Sequence, residues 1–465
     1  MAVFIFTAGV SASSEIREID INRLSIKDCV DLAILGNYSF KEKREDLLEA
    51  IASLRVNKNL SQPNIQSSAT MGEDTGVRTT ARSITFNLLQ DLNTGDQISI
   101  VNNAFTQSAG NHPYLYNQFS IQYLKPFFKN GGFAYGNYNI GTAEKSLELS
   151  KLDYEIARQD LIQDVMTAYY NVIKNKNLIL VYEESVRVAE ESYKMALLKK
   201  EDELSKQIDI TRAEILIASS QDSLVGAKKD WKSSLDALAT LIGFEPEDDI
   251  DIKYDYSRKF SIPYLKEDEL IETALDKRMG LAKKNVELEQ KNLDLKYYKN
   301  QYMPELNLLA SYNTNPDSNN LGLSQSYLLP TWSINLNTTY YFRDFEAEED
   351  MKTAQRQINL KLEDISSYTR TITEQVRDSM RDISTSLSKI EINAKNLKFS
   401  QKNLDLANKR WEKGLADNKD VMDAQKDVNS AKTDYYNAQI DFLISKVNLL
   451  RHMGEDLYQY LTREF

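Results

Sequence analysis

The chain has 465 residues, enough for two or three ordinary domains or one elongated one. Charged residues make up 27% and the net charge is −12, a balance that argues against the basic patch nucleic-acid binding needs. One cysteine and two histidines exclude an internal disulfide and a thiolate cluster and argue against a protein metal site, while only eight prolines and sixteen glycines favour long unbroken helices.

The first element is the apolar run "AVFIFTAGVSAS", followed by the charged "EIREID". It reads as the end of a secretory signal peptide, residues 1–12, with Val10-Ser11-Ala12 as a cleavage site. The basic start of such a segment is missing, and the other reading is a frayed apolar terminus. No other stretch reaches the ~18 apolar residues of a membrane-spanning helix, so contact with a membrane would be peripheral or through a β-barrel. A first repeat is expected over residues 24–243. Cys29 lies in its helical opening, "SIKDCVDLAIL", and reads as a small buried apolar residue. Strands are expected within about 63–128. There "ITFNLLQDLNTGDQISIVNN" reads as an added hairpin turning at Asn93 to Asp96, and "SIQYLKPFF" (Ser120 to Phe128) alternates with period two.

A helical hairpin follows over about 141–243. Ile140, Leu147, Tyr154, Leu161 and Ala168 keep a seven-residue step, as do Ile210, Ile217, Leu224, Trp231 and Leu238. Small residues Ala213, Ser220, Ala227 and Ser234 stand three places after four of these. Such a period imposes left-handed coiled-coil packing, and small residues on the seam let helices approach closely. A helix from about Gly141 to Lys200 would be ~90 Å long.

Residues 244–263 read as a linker, and 264–457 as a second repeat. Its strands fall within about 304–342, in "LNLLASYN" (Leu306 to Asn313) and "SINLNTTYYF" (Ser333 to Phe342), with "TNPDSNN" (Thr314 to Asn320) as an exposed loop. Ile334 and Leu336 face one side, Ser333, Asn335 and Asn337 the other. Segments of this kind suit the wall of a membrane barrel or an ordinary antiparallel sheet. Tyr114, Tyr116, Phe127, Phe128, Phe133, Trp332, Tyr340 and Tyr341 crowd here, as at a membrane–water interface. The second helical hairpin, about 350–454, carries Ile383, Ile390, Leu397, Leu404 and Trp411 at heptad spacing. The step resumes at Val421, Val428, Tyr435, Phe442 and Leu449, with Ala424, Ala431, Ala438 and Ser445 as the small seam. Residues 458–465 form a C-terminal tail.

The two halves are copies. Ala33 pairs with Ala274 and Pro63 with Pro304, both 241 positions apart. Asp209 pairs with Asp420, Ala213 with Ala424 and Gly243 with Gly454, all 211 apart. The first copy therefore carries about 30 extra residues after Pro63, which fits the added hairpin. No phosphate-binding glycine loop, H-E-x-x-H or G-x-S-x-G occurs, so no catalytic, cofactor or metal residue is assigned and an enzyme is not expected. His112 and His452 read as structural or solvated. Between Trp411 and Gln425 lies "KGLADNKDVMDAQ", where Asp420 and Asp423 share one helix face at i, i+3. They read either as a solvated shoulder near a helix N-terminus or as part of a charged aperture.

Helix, strand pair and long helical hairpin, repeated once, resemble the TolC-type outer-membrane efflux proteins. The likeness runs from about Leu24 to Leu457. It rests on "YMPEL" (Tyr302 to Leu306), "FSIQYLKPFFKNGG" (Phe119 to Gly132), "GLADNKDVMDAQ" from Gly414 and "YYNAQIDFLISKVNLLRHMG" from Tyr435. "YYFRDFEAEED" lacks the proline and glycines of "KPFFKNGG". The resemblance implies a mainly α fold with a membrane β-barrel: a homotrimer with a coiled-coil α-barrel across the periplasm, in the outer membrane. Four strands per chain cannot close a barrel, which takes ~8 or more, whereas three copies would pool twelve. It also implies an exit duct of a tripartite efflux or type I secretion system, partnered by a periplasmic adaptor, an inner-membrane pump and outer-membrane lipid. Asp420 and Asp423 match the family's acidic entrance, and Asp209 an aspartate that holds it closed through an arginine. Ala416 stands where that arginine would fall. Trp411 matches a gate tyrosine and also continues the heptad. The tips at Leu204, Ser205, Gly414, Leu415 and Ala416 would contact the adaptor. The alternative is a periplasmic or cytosolic coiled-coil scaffold.

Overall fold

A computed structural model describes residues 3–4, 18–19, 23–59, 62–74, 79–109, 112–201, 207–245, 251–253, 266–316, 328–342, 344–413 and 415–464. In chain order they form β1 (Val3–Phe4), β2 (Glu18–Ile19), α1 (Ile26–Gly36), α2 (Tyr38–Asn59), β3 (Asn64–Asp74), β4 (Thr79–Asp91), β5 (Gln97–Ala109), β6 (His112–Pro126), α3 (Phe133–Gly136), α4 (Tyr138–Glu201) and α5 (Gln207–Ile242). Then come α6 (Glu267–Lys277), α7 (Met279–Gln301), β7 (Glu305–Pro316), β8 (Leu328–Thr339), α8 (Phe345–Glu412), α9 (Asn418–His452) and α10 (Leu457–Glu464). Two compact units result: Met1–Arg44, Asp153–Leu281 and Tyr368–Phe465 form one, and Glu45–Leu152 and Ala282–Ser367 the other.

The first unit is helical and holds the main core. α1 starts at a capping box: Ser25 Oγ accepts from the Asp28 amide, and the Asp28 carboxylate accepts from the Ser25 amide. Its buried stripe of Ile26, Cys29, Val30 and Ala33 follows the helical period. Burial, reinforced by Asp28, pushes the Cys29 thiol far above its ordinary pKa, so it packs as an inert apolar group. α5 buries Ile210, Ala213, Ser220 and Ala227, and α9 buries Val421, Ala424, Val428, Ala431 and Ala438. These are seam positions, because the seven-residue step returns them to one helix face. Residues 458–465, read from the sequence as a tail, lie largely in α10, whose Leu457 and Leu461 are fully buried.

The duplication is visible in the turns. Gly243 and Gly454 follow α5 and α9 with φ of +82° and +74°, left-handed conformations that favour glycine. A Cβ on Gly243 would press on the Gly36 backbone that ends α1, and one on Gly454 on the Lys277 backbone that ends α6. Gly36 and Lys277 are themselves 241 positions apart.

The second unit holds one antiparallel sheet in the order β3-β4-β5-β6-β7-β8. This corrects the four strands per chain drawn from the sequence. The added hairpin does not stand off the sheet. It enters the ladder between β3 and β6, with strands as long as their neighbours. Its turn falls at Asn93 to Asp96, with Leu92 N donating to Asp96 O at 2.8 Å. That turn docks on the loop leading out of β6: Gly132 N donates to Thr94 O at 2.8 Å, and a Cβ on Gly95 would collide with Asn130 O. Asp96, nearly buried, accepts from Tyr123 Oη at 2.7 Å and from Lys125 Nζ at 3.2 Å. The buried Asn300 of α7 clamps the same loop, donating to Phe128 O and Gly131 O and accepting from Asn130 N. Where the second copy lacks the glycines, Asp344 caps α8 by accepting from Ala347 N at 3.1 Å.

Candidate functional site

At the start of α9, Leu415 N donates to Arg410 O at 2.8 Å, folding the turn back after α8. Val421 and Ala424 point into the chain. Asp420 and Asp423, on either side of them, are exposed and make no ion pair among the described residues. The exposed stripe continues at heptad spacing through Asp427, Asp434 and Asp441. At the equivalent place in the first hairpin, Asp209 Oδ1 lies 3.7 Å from Arg212 Nη1, one turn along α5. One hairpin thus presents an acid beside a base, the other two bare acids.

The two helix starts touch through Asn418, 1% exposed, whose Nδ2 donates to the Asp209 carbonyl at 3.2 Å. One heptad on, buried Gln425 donates to Asn429 Oδ1. Asn429 Nδ2 then donates to Ser185 Oγ, which lies 3.1 Å from Ser220 Oγ. Asn418 Oδ1 and Gln425 Oε1 are buried without a partner among the described residues. Each such orphan costs about 1–3 kcal/mol, so this contact is polar and held less tightly than the apolar seam beyond it. The sequence reading missed Asn418 and Gln425. Their signal was a polar residue three places before Val421 and Val428. Trp411 is 8% exposed, packed where its heptad step puts it. Leu415 is exposed and Ala416 half-buried, whereas Leu204, Ser205 and Gly414 lie outside the described residues.

The sheet is the second notable surface. Its exposed side chains include Ile65, Met71, Ile84, Phe86, Ile334, Leu336 and Trp332, the last 76% exposed. The other face is polar and laddered: Thr85 Oγ1 donates to Asn103 Oδ1, Ser120 Oγ to Asn313 Oδ1, and Ser311 Oγ lies 2.8 Å from Ser333 Oγ. At the ends of β6 and β8, Phe127, Phe128, Tyr340, Tyr341 and Phe342 stand exposed, as aromatics do at a membrane interface. Among the described residues no helix is long and apolar enough to cross a membrane.

A sequence model of the outer membrane efflux protein family matches residues 30–244 and 270–455. No curated protein matches the sequence. Among solved structures, the outer membrane protein VceC from Vibrio cholerae is similar at 14% identity and a TM-score of 0.69, over 92% of this chain and 96% of that one. The CmeC outer membrane channel of Campylobacter jejuni is similar at 16% identity and a TM-score of 0.66, over 99% and 97%. The open state of the Neisseria gonorrhoeae MtrE outer membrane channel is similar at 15% identity and a TM-score of 0.69, over 98% and 95%. At such identities these likenesses establish the fold, and the family match, spanning most of the chain, establishes the family. The family is one of transport ducts rather than enzymes, and the scaffold alternative finds no support in it. An apolar-faced sheet, two heptad hairpins and this match converge: the chain belongs to the outer membrane efflux protein family and is an outer-membrane efflux channel.

Proposed function

We propose that three copies assemble into a duct that receives substrates from an inner-membrane pump through a periplasmic adaptor and releases them outside. The unpaired edges of the sheet carry this reading. β3 and β8 have no outer neighbour among the described residues of the chain, and in lipid each unsatisfied backbone group costs several kcal/mol. Copies joined edge to edge remove that cost by closing a barrel. Threefold symmetry would turn Asp420 and Asp423 into two acidic rings at the periplasmic entrance. Rings of this kind select cations. Asp209, next to Arg212 and held through its carbonyl by Asn418, stabilises the closed arrangement of the tips, and the buried Trp411 serves packing. The tips, with Leu415 and Ala416 at their described end, form the adaptor contact, and a crosslink from Leu415 to an adaptor is expected.

The test is Asp420→Ala with Asp423→Ala in planar bilayers. Both side chains are exposed, so trimers should form as before while cation selectivity and blockade by trivalent cations drop. Unchanged selectivity together with unchanged blockade would remove the two aspartates from the entrance.

A further inference from the structure

The register of the sheet shows what the added hairpin does. One lateral row crosses all six strands on a single face: Ile65 opposite Leu88, Leu88 opposite Ile100, Ile100 opposite Ile121, Ile121 opposite Tyr312, and Tyr312 opposite Trp332. Every member is apolar or aromatic. The next row, on the other face, runs Gln66, Asn87, Val101, Ser120, Asn313, Thr331, and five of its six members are polar. Inner and outer character therefore pass through β4 and β5 without a change of phase. A one-residue slip at either junction would have reversed it.

Length agrees. β4 and β5 have 13 residues each, against 11, 15, 12 and 12 for β3, β6, β7 and β8. A tilted membrane strand needs about 9–11 residues. The ends agree too. The hairpin turns at the end of the sheet where β6 leaves it, and is fastened there by Gly132, Tyr123 and Lys125. A decoration on an outer loop would carry neither the apolar row nor this anchorage.

Resting on the duct proposed above, we infer that β4 and β5 are part of the membrane wall and that three copies close an eighteen-stranded barrel. The partner at each edge is a second copy of this chain, its β8 beside β3. The two edges run in opposite directions, because the six strands alternate in sense from first to last. Their pairing thus continues the antiparallel order around the ring, as closure requires.

The test uses full-length trimers in phosphatidylethanolamine–phosphatidylglycerol vesicles, with single cysteines in a Cys29→Ala background and a charged, membrane-impermeant methanethiosulfonate as probe. The variants are Ile84→Cys and Phe86→Cys on the apolar face of β4, Thr85→Cys and Asn103→Cys on the polar face, and Ile334→Cys on β8 as reference. Only variants recovered as trimers are compared, and either β4 apolar position together with either polar position decides the outcome. The expected result is that Ile84→Cys and Phe86→Cys react at least an order of magnitude more slowly than Thr85→Cys and Asn103→Cys, and as slowly as Ile334→Cys. Fast reaction at the β4 positions with Ile334→Cys protected would place the hairpin outside the wall and overturn this inference alone. Fast reaction at Ile334→Cys as well would overturn the membrane sheet itself.

Discussion

His452 closes α9 half-buried, with Nδ1 2.6 Å from Ser379 Oγ. Burial, then the charges of Arg278 and Arg451, hold its pKa below the ordinary histidine value, against the opposing backbone hydrogen bond of Gln375 and charge of Asp382. The unfolded chain therefore takes up the proton more readily than the folded one. Above the unfolded pKa of about 6.5 the effect is absent, and stability falls as pH drops below it. In His452→Asn, which keeps a polar atom facing Ser379, this loss should be smaller. Denaturant midpoints of both proteins at about pH 7.5 and about pH 5.5 check it; equal losses would assign the acid sensitivity elsewhere. At this scale the sequence is legible where chemistry is local. Cys29 sits in an apolar helical stretch and is inert, as its surroundings dictate. Asp420 and Asp423 are recognisable as a pair, but that Arg212 lies beside Asp209 while no ion pair meets the other two among the described residues depends on side-chain reach. Asn418 was illegible because its importance lies in meeting a carbonyl 209 positions away.

Among elements, α10 carries more than its length suggests. Asp456 caps it by accepting from Tyr458 N at 2.9 Å, and Gln159 Nε2 donates to the same carboxylate. Leu457 and Leu461, one turn apart, are both fully buried in the main core. Leu461→Ala should therefore cost about 2–5 kcal/mol, by lost burial and the cavity left behind. Leu406→Ala, at a half-exposed position of α8, should stay within about 0.5 kcal/mol. Denaturant midpoints in detergent separate the two; similar values would mean that α10 is not part of the cooperative core. The long helices were readable because a seven-residue step repeats over many turns. The six-strand count was not. Period-two alternation marks residues 84–105 as strand-forming, yet joining the ladder is decided by cross-strand register, which one strand's alternation does not encode.

For the whole molecule, the strand count sets the width of the mouth. With neighbouring strands ~4.8 Å apart and tilted by ~40°, eighteen strands give a backbone diameter of ~36 Å, and twelve give ~24 Å. Neutral polymers added from the outer side should therefore enter the intact duct at sizes excluded from a version in which a short turn joins Asp74 to His112. Identical cut-offs in trimers of both would refute the wider mouth.

β3 and β8 point in opposite senses, and this has a consequence for how such a wall can change. Inserting a lone strand would leave the two edges parallel, so that copies joined edge to edge could not continue the antiparallel order around a ring. A hairpin is the smallest insertion that preserves their opposition, and a threefold ring writes it three times. The circumference is therefore quantised. An antiparallel threefold ring gains strands in steps of six, as from twelve to eighteen.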